Sequence, residues 1–160
     1  MPLNSDVVYK SIKKLLLENN VSFKEFEHPA VRTSADAAKI RGTDLKRGAK
    51  ALIFEADKKP IMIVLPGNLK VDTKKFKTLY SIKDLRMLTP QEILDQFGLE
   101  VGSIPPWGNV LGIPTYFDQA LLLNVVVDFN VGFLTKSMEI KYGVLENIVK
   151  PIIGEFSVLK

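Results

Sequence analysis

Residues 48–55 are Gly-Ala-Lys-Ala-Leu-Ile-Phe-Glu, and residues 61–65 are Ile-Met-Ile-Val-Leu. Both runs are rich in β-branched and large apolar residues, which favour strands. The five residues between them, Ala56-Asp57-Lys58-Lys59-Pro60, are charged or turn-forming. We therefore predict a β-hairpin here, and we expect it to lie at the centre of a sheet.

Helices and strands are intermixed around this hairpin. Asn4 or Ser5 can cap a helix that ends near Asn20, and Thr89-Pro90 with Gly98 predicts the start and stop of another. Weaker patterns predict helices at 35–40, 73–79, 81–85 and 144–149 and strands at 21–27, 115–117, 121–127, 137–140 and 155–159. Several strands are joined by turns too short for parallel pairing. The pattern predicts an α+β fold with a mixed sheet.

The composition indicates one globular domain over residues 1–160. Hydrophobic residues make up 46% of the 160 residues and charged residues 25%, the balance of a chain that buries a core. No apolar run approaches the roughly 20 residues of a membrane-spanning helix, so we expect no membrane partner. The first six residues lack a basic stretch followed by an apolar block, so a cytoplasmic location is expected.

Few catalytic groups are available to this chain. It has no cysteine and one histidine, His28, which excludes a thiol nucleophile and a zinc site built from histidine and cysteine. Neither a phosphate-binding GxxxxGK[ST] loop nor a GxGxxG motif is present, so we expect no metal and no cofactor. His28 precedes Pro29, a context that also fits simple packing at the end of a strand.

Basic residues fall in two groups, on a chain of net charge +4. One group is Lys39, Arg41, Lys46, Arg47 and Lys50, and the other is Lys70, Lys74, Lys75 and Lys77. Two interpretations remain open: solvated helix faces, or surfaces for a phosphate-rich ligand.

Two features could form a site. Lys50 lies within a predicted strand, where it either reaches solvent or projects into a cleft and binds negative charge. The loop Gly102-Ser103-Ile104-Pro105-Pro106-Trp107-Gly108 is flexible at its glycines and stiff at its prolines, so its N–H groups could receive a developing oxyanion. A purely structural loop is the alternative. Trp107 fits either core packing or a platform for a base.

A series of short motifs follows this order along the chain: Glu27-His28-Pro29, Arg32-Thr33-Ser34-Ala35-Asp36-Ala37-Ala38, Arg41-Gly42, Gly48-Ala49-Lys50-Ala51-Leu52, Leu65-Pro66-Gly67-Asn68, Val71-Asp72-Thr73-Lys74-Lys75, the loop 102–108, and Tyr116-Phe117-Asp118 before Leu121-Leu122. Their order and spacing resemble the YbaK/prolyl-tRNA-synthetase-associated family of editing proteins and domains. The resemblance covers nearly the whole chain.

The resemblance implies a mixed, mostly antiparallel curved sheet with flanking helices, and hydrolysis of the ester that joins a small amino acid to tRNA. Lys50 matches the functional lysine of the family, and Gly102, Ile104, Pro106 and Gly108 match its GxxxPxG-like substrate loop. Ser103, Trp107, His28 and Asp118 are further candidates for substrate binding, and Lys46, Arg47, Lys74 and Lys75 are candidates for tRNA binding. Asp118 and Asp128 are the nearest carboxylate candidates for a supporting role, and capping or strand-end hydrogen bonding is the alternative for both.

The implied partner is the acceptor end of a mischarged tRNA, with an aminoacyl-tRNA synthetase as a second candidate partner. Ala51, Pro105 and Asn130 depart from residues found in several family members, which bears on amino-acid specificity. Two other functions stay open: a non-catalytic module that binds tRNA or a nucleotide, and a domain that only contacts a synthetase.

Overall fold

The structure, a computed structural model, describes residues 2–31 and 33–160, so that Arg32 of the second motif lies outside the described residues. The helices are α1 (Ser5–Glu18), α2 (Ser34–Arg41), α3 (Thr73–Tyr80), α4 (Pro90–Phe97), α5 (Gly108–Leu111) and α6 (Tyr142–Val149). The strands are β1 (Lys24–Glu27), β2 (Ala49–Ala56), β3 (Lys59–Pro66), β4 (Leu69–Val71), β5 (Leu85–Met87), β6 (Thr115–Asp118), β7 (Val126–Asn130), β8 (Lys136–Lys141), β9 (Ile152–Gly154) and β10 (Ser157–Leu159).

The predicted hairpin is confirmed as the centre of the largest sheet. Strands β2 and β3 pair antiparallel, with Leu52 opposite Ile63. Asp57 and Lys58 between them both have positive φ, of 47° and 72°, as a two-residue type I′ turn requires. The sheet has the order β5-β2-β3-β6-β9, in which β6 runs parallel to β3 and to β9.

Two smaller sheets complete the architecture of the described residues. Strands β1, β8 and β7 form an antiparallel sheet, which a parallel bridge between Gly48 and Asp128 connects to the start of β2. Strand β10 pairs antiparallel with β4. The sheets are thus mixed but mostly antiparallel, and helices flank them, which confirms the predicted α+β fold.

The alternation of side chains along β2 divides the core into two clusters. Ala49, Ala51 and Ile53 face a cluster that includes α1, whereas Leu52 and Phe54 face a second cluster around Phe76 and Phe156. Burial of each large apolar side chain contributes about 1.5–3 kcal/mol, so both faces of the hairpin stabilise the fold. Lys50 lies on the same side of β2 as Leu52, and a hydrogen bond to the Leu69 carbonyl holds the end of its side chain.

Four helices begin at polar caps that the sequence contains. The side chains of Asn4, Thr33, Asp72 and Thr89 accept hydrogen bonds from backbone N–H groups of α1, α2, α3 and α4. Thr89 and Glu92 form a reciprocal capping box, which confirms the predicted start of α4. Among residues 2–31 and 33–160, no helix has both the length and the apolarity needed to cross a bilayer.

Two predicted elements were wrong. Residues 81–85 do not form a helix: Ser81 ends α3 in a left-handed conformation, and β5 then pairs with the free edge of β2. Residues 121–127 are not one strand, because a 3-10 turn over Gln119–Leu123 begins at Asp118, whose carboxylate accepts from Ala120 N–H. For residues 81–85, pairing with a strand distant in the sequence outweighs the apolar pattern. For residues 121–127, the local cap at Asp118 outweighs it.

Candidate active site

A cavity of about 380 Å³ lies between α2, the first half of β2, the loop 101–104 and β7. Its walls are mostly apolar and include Ala37, Ala38, Ala49, Ala51, Ile53, Leu88, Ile93, Ile104 and Phe129. Polar and charged side chains line the rest, among them Lys50, Arg41, Asp128, Asn130 and Lys160. A mainly apolar concavity with a few converging polar groups is the usual form of a ligand site.

Lys50 reaches this cavity from strand β2. Its Nζ donates to the carbonyl oxygen of Leu69 at 2.6 Å, which fixes the end of the side chain at the start of β4. Burial and, after it, the nearby Lys160 lower the pKa of Lys50 to about 8. The ammonium is therefore still protonated at neutral pH, yet easier to deprotonate than an ordinary lysine.

Gly102 turns the loop into the cavity. Its φ of 91° lies where side chains with a Cβ are strained, so glycine is required for this turn. The next residue, Ser103, is buried and does not line the cavity: its N–H and its hydroxyl both donate to the Glu100 carbonyl, at 3.1 and 2.7 Å. Among the described residues, no hydrogen bond is donated by the N–H of Gly102 or Ile104 to a backbone acceptor, and both residues line the cavity.

A buried polar network holds the loop in place. Asn130 Nδ2 donates to the Gly102 carbonyl at 2.5 Å, and Asn130 Oδ1 accepts from Arg41 at 3.0 Å. Arg41 also donates to Asp128 at 2.5 Å and to Ser137 at 3.0 Å. The guanidinium of Arg41 thereby joins the end of α2 to β7 and β8, and Asn130 extends this connection to the loop.

The electrostatics of the network follow from its burial. The side chains of Arg41 and Asp128 are only 5% and 2% exposed. Burial lowers the pKa of Arg41, an effect that Asp128 opposes, and burial raises the pKa of Asp128 against the effect of Arg41 and Arg47. At 2.5 Å, each charge of the pair is the main compensation for the burial of the other.

His28 belongs to the outer side of this network. Its Nε2 lies 2.7 Å from Ser137 Oγ and its Nδ1 lies 2.9 Å from the Pro29 carbonyl. It is not among the described residues that line the cavity. The structure thus places His28 at the end of β1 as a packing and hydrogen-bonding residue.

The second half of the loop is built into the core. Trp107 is fully buried, and its ring lies 5.2 Å from that of Phe129, so it is a packing anchor and not a platform for a base. Gly108 begins α5, where any Cβ would collide with Thr115 Oγ1. Pro106 is also buried, and none of the three lines the cavity.

Asp118 has a structural position. Its carboxylate is 1% exposed and accepts from the N–H groups of Ala120, Phe156 and Ser157 and from the Ser157 hydroxyl. These contacts attach the C-terminal strand β10 to β6. The carboxylate is fully occupied by them, as the capping interpretation of the sequence expects.

The four candidate tRNA-binding residues lie outside the cavity lining. Lys46 and Lys74 are exposed, and Lys75 is 3.8 Å from Glu155. Arg47 is less free, since it pairs with Glu139 and approaches Asp128 at 3.8 Å. Lys46, Lys74 and Lys75 keep charge available for a long polyanion, whereas Arg47 mainly balances buried carboxylates.

Most residues that line the cavity were not predicted as site residues, among them the polar or charged Arg41, Asn130 and Lys160. Arg41 belonged to a recognised basic group and to a quoted motif, so its presence among family residues was a usable signal. Asn130 was noted only as a departure from the family. Nothing in the sequence around Lys160 indicates a site. Among the described residues, no group of three or more histidine, cysteine or acidic side chains could hold a metal ion.

Lys50 from strand β2 and the loop residues Gly102 and Ile104 thus line one mainly apolar cavity of this α+β fold. The sequence model of the aminoacyl-tRNA editing domain family matches residues 28–148. The chain belongs to this family, which confirms the resemblance inferred from the motifs.

Relatives of this chain include parts of much longer enzymes. It is 35% identical over 115 residues to proline–tRNA ligase of Thermosipho melanesiensis, covering 71% of this chain and 20% of the ligase. It is 38% identical over 105 residues to the uncharacterized protein YwhH of Bacillus subtilis, covering 65% of this chain and 64% of YwhH. The chain therefore corresponds to about a fifth of the ligase and less than two thirds of YwhH.

The fold also occurs in a solved structure of similar size. A candidate trans-editing enzyme for prolyl-tRNA synthetase superimposes with a TM-score of 0.83 over 96% of both chains, at 23% sequence identity. At this identity the similarity establishes the fold.

Proposed function

We propose that the protein is a trans-editing deacylase, which hydrolyses the ester between a small amino acid and the terminal ribose of a mischarged tRNA. The observation that carries the proposal is that Lys50 and the loop at Gly102 and Ile104 line the same cavity. Membership of the editing family supports the choice of substrate class. The acceptor end of tRNA is the proposed partner. A synthetase is a second proposed partner, because related segments occur within proline–tRNA ligases.

The alanine-rich lining of the cavity is the feature that favours a small amino acid in this proposal. Its volume of about 380 Å³ is near the lower end of the roughly 300–1,000 Å³ of small-molecule sites. Four alanines, Ala37, Ala38, Ala49 and Ala51, form part of the wall, so the space is bounded by short side chains on fixed elements. These short side chains are the proposed contact surface for a small amino-acid side chain, with part of the ribose in the remaining space.

The proposed chemistry depends on placement of the substrate. A water molecule attacks the ester carbonyl carbon, the carbonyl oxygen becomes an oxyanion, and the bond to the ribose oxygen then breaks. The ribose oxygen keeps a proton taken from the water, and the free amino acid and uncharged tRNA are released. The N–H groups of Gly102 and Ile104 are the donors available to the oxyanion. The described cavity lining contains neither histidine nor cysteine, so no activated imidazole or thiol takes part.

Lys50 supplies the positive charge in this proposal. Its Nζ is anchored on the Leu69 carbonyl but retains two further N–H donors, which can contact the anionic acceptor end. A fixed cation of this kind orients the ester relative to the loop, and correct orientation alone lowers the barrier substantially.

The test is deacylation of a panel of mischarged tRNAs under multiple turnover. Wild-type protein should release the amino acid from tRNAs carrying small residues. Lys50→Ala should lower the rate about 100-fold, the scale of losing one preorganised electrostatic contact. Lys14→Ala is the matched control, because Lys14 lies on the exposed side of α1 and does not line the cavity. Binding of tRNA without release of any amino acid would identify a non-catalytic module and contradict the proposal.

A further inference from the structure

We propose that Lys160 is a second substrate-binding cation, which acts with Lys50 to hold a phosphodiester group of the terminal nucleotides at one side of the cavity. The inference rests on the proposed function, because it assigns the part of the tRNA that this side of the cavity receives. Lys160 matches none of the family motifs quoted above.

The pairing of two short strands places Lys160 beside Lys50. In the β10–β4 pair, Leu159 lies opposite Leu69. The carbonyl of Leu69 is the group that accepts from Lys50 Nζ, so the residue directly after Leu159 emerges next to that ammonium. Both lysines line the cavity.

Buried hydrogen bonds anchor the strand that carries Lys160. Asp118 accepts from the N–H groups of Phe156 and Ser157 at 2.8 and 3.0 Å, and Phe156 is fully buried. The base of β10 is therefore fixed to the core, whereas Lys160 at its end is exposed. A fixed strand with an exposed lysine at its end can bring a positive charge to a ligand that is bound in the cavity.

The charges around the cavity favour an anion at this position. The charged residues among its described lining are Lys50, Lys160, Arg41 and Asp128. Asp128 is occupied by Arg41 at 2.5 Å, so neither lysine side chain pairs with a side-chain carboxylate within that lining. Two neighbouring ammonium groups repel each other, and the pKa of Lys50 is lowered partly for this reason. A bound anion would relieve this repulsion.

The chemistry of the proposed substrate identifies the anion. An amino acid esterified to ribose has no carboxylate, and its α-amino group is neutral or positive. Phosphodiester groups are the negative charges near the ester, and each carries two oxygens that can accept from separate ammonium groups. The pair Lys50 and Lys160 matches one such group.

The first experiment measures binding of an uncharged trinucleotide with the sequence of the tRNA 3′ end, as a function of salt. Loss of one phosphate contact reduces the slope of log K against log salt by about 0.7 for a single strand. Lys160→Met should show this reduction, and the matched control Lys14→Met should keep the wild-type slope. An unchanged slope in Lys160→Met would overturn the proposal. Inorganic phosphate serves as a second probe: binding as tight as that of the trinucleotide would overturn the nucleotide assignment in favour of a free phosphate site.

The second experiment follows the Lys50 side chain by NMR in protein labelled at lysine. In Lys160→Met, the pKa of Lys50 should rise because a neighbouring positive charge is removed, and an unchanged pKa would show that the two groups do not interact. With charged tRNA, Lys160→Met should raise KM more than it lowers kcat. Wild-type protein that deacylates nothing would refute the proposed function, whereas the trinucleotide and NMR results test the lysine pair independently of turnover.

Discussion

Replacing Arg41 with methionine removes the buried cation that connects α2, β7 and β8. Methionine is similar in length and apolar, so it fills most of the space without a positive charge. The substitution leaves Asp128 with a buried negative charge and Asn130 without one of its donors. The fold should therefore become less stable, and the loop at Gly102 should lose part of its support.

The expected size of the effect follows from the geometry. Breaking a buried ion pair by removing one partner typically costs about 3–5 kcal/mol. Asp128 keeps a second cation, Arg47, at 3.8 Å, so we expect the lower end, about 3 kcal/mol. Replacing both members of the pair, as Arg41→Met with Asp128→Leu, should cost less than the sum of the two single changes, since no unpaired charge then remains.

Equilibrium unfolding in urea measures this loss, with parallel deacylation assays under native conditions. Arg86→Met is the control, because Arg86 makes a two-pronged ion pair with Glu92 but is half exposed. Exposed pairs contribute little to stability, so the control should lose much less than Arg41→Met. Equal losses in the two variants, or additive losses in the double variant, would refute the account of the network.

Three further outcomes are expected. The value of kcat/KM, corrected for uncatalysed hydrolysis, should fall as the pH rises through about 8. The reason is that the lowered pKa of Lys50 leaves its side chain mostly cationic only below that pH. A flat profile from pH 7 to 9 would contradict the role of Lys50 as a cation. Gly102→Ala should lower the free energy of unfolding by about 1–2 kcal/mol through backbone strain, and it should also reduce turnover. Gly112 has a similar positive φ but lies outside the cavity, so Gly112→Ala should show only the loss of stability. Trp107→Ala should lower the free energy of unfolding in urea by about 3–5 kcal/mol, because Trp107 is fully buried. A variant that stayed stable but bound substrate poorly would show that Trp107 belongs to the binding surface.

The parts of the fold that local chemistry determines were predictable from the sequence. The central hairpin follows from two strand-forming runs around a charged turn, and α4 follows from Thr89, Pro90 and Gly98. Strands β4, β5, β9 and β10 have three residues each, and their conformation depends on the strand beside them. A three-residue segment carries too little pattern to be recognised without that partner.

The parts of the candidate site that a single residue or a short motif indicates were predictable from the sequence. Lys50 and the glycine loop were identified by residue type and by family resemblance, and the structure brings Lys50, Gly102 and Ile104 to one cavity. Arg41 and Asp128 are 87 positions apart, and their contact depends on how α2 packs on the sheet. Trp107 could serve in the core or at a surface, and only its burial distinguishes the two.

The burial of Trp107 against Phe129 gives the protein an internal optical probe. Because the chain has a single tryptophan, its tryptophan fluorescence arises from one place: the contact between the loop that follows Ile104 and strand β7, which also lines the cavity. A shift in emission on ligand addition would report movement at this contact, and the same signal would follow unfolding without any added label.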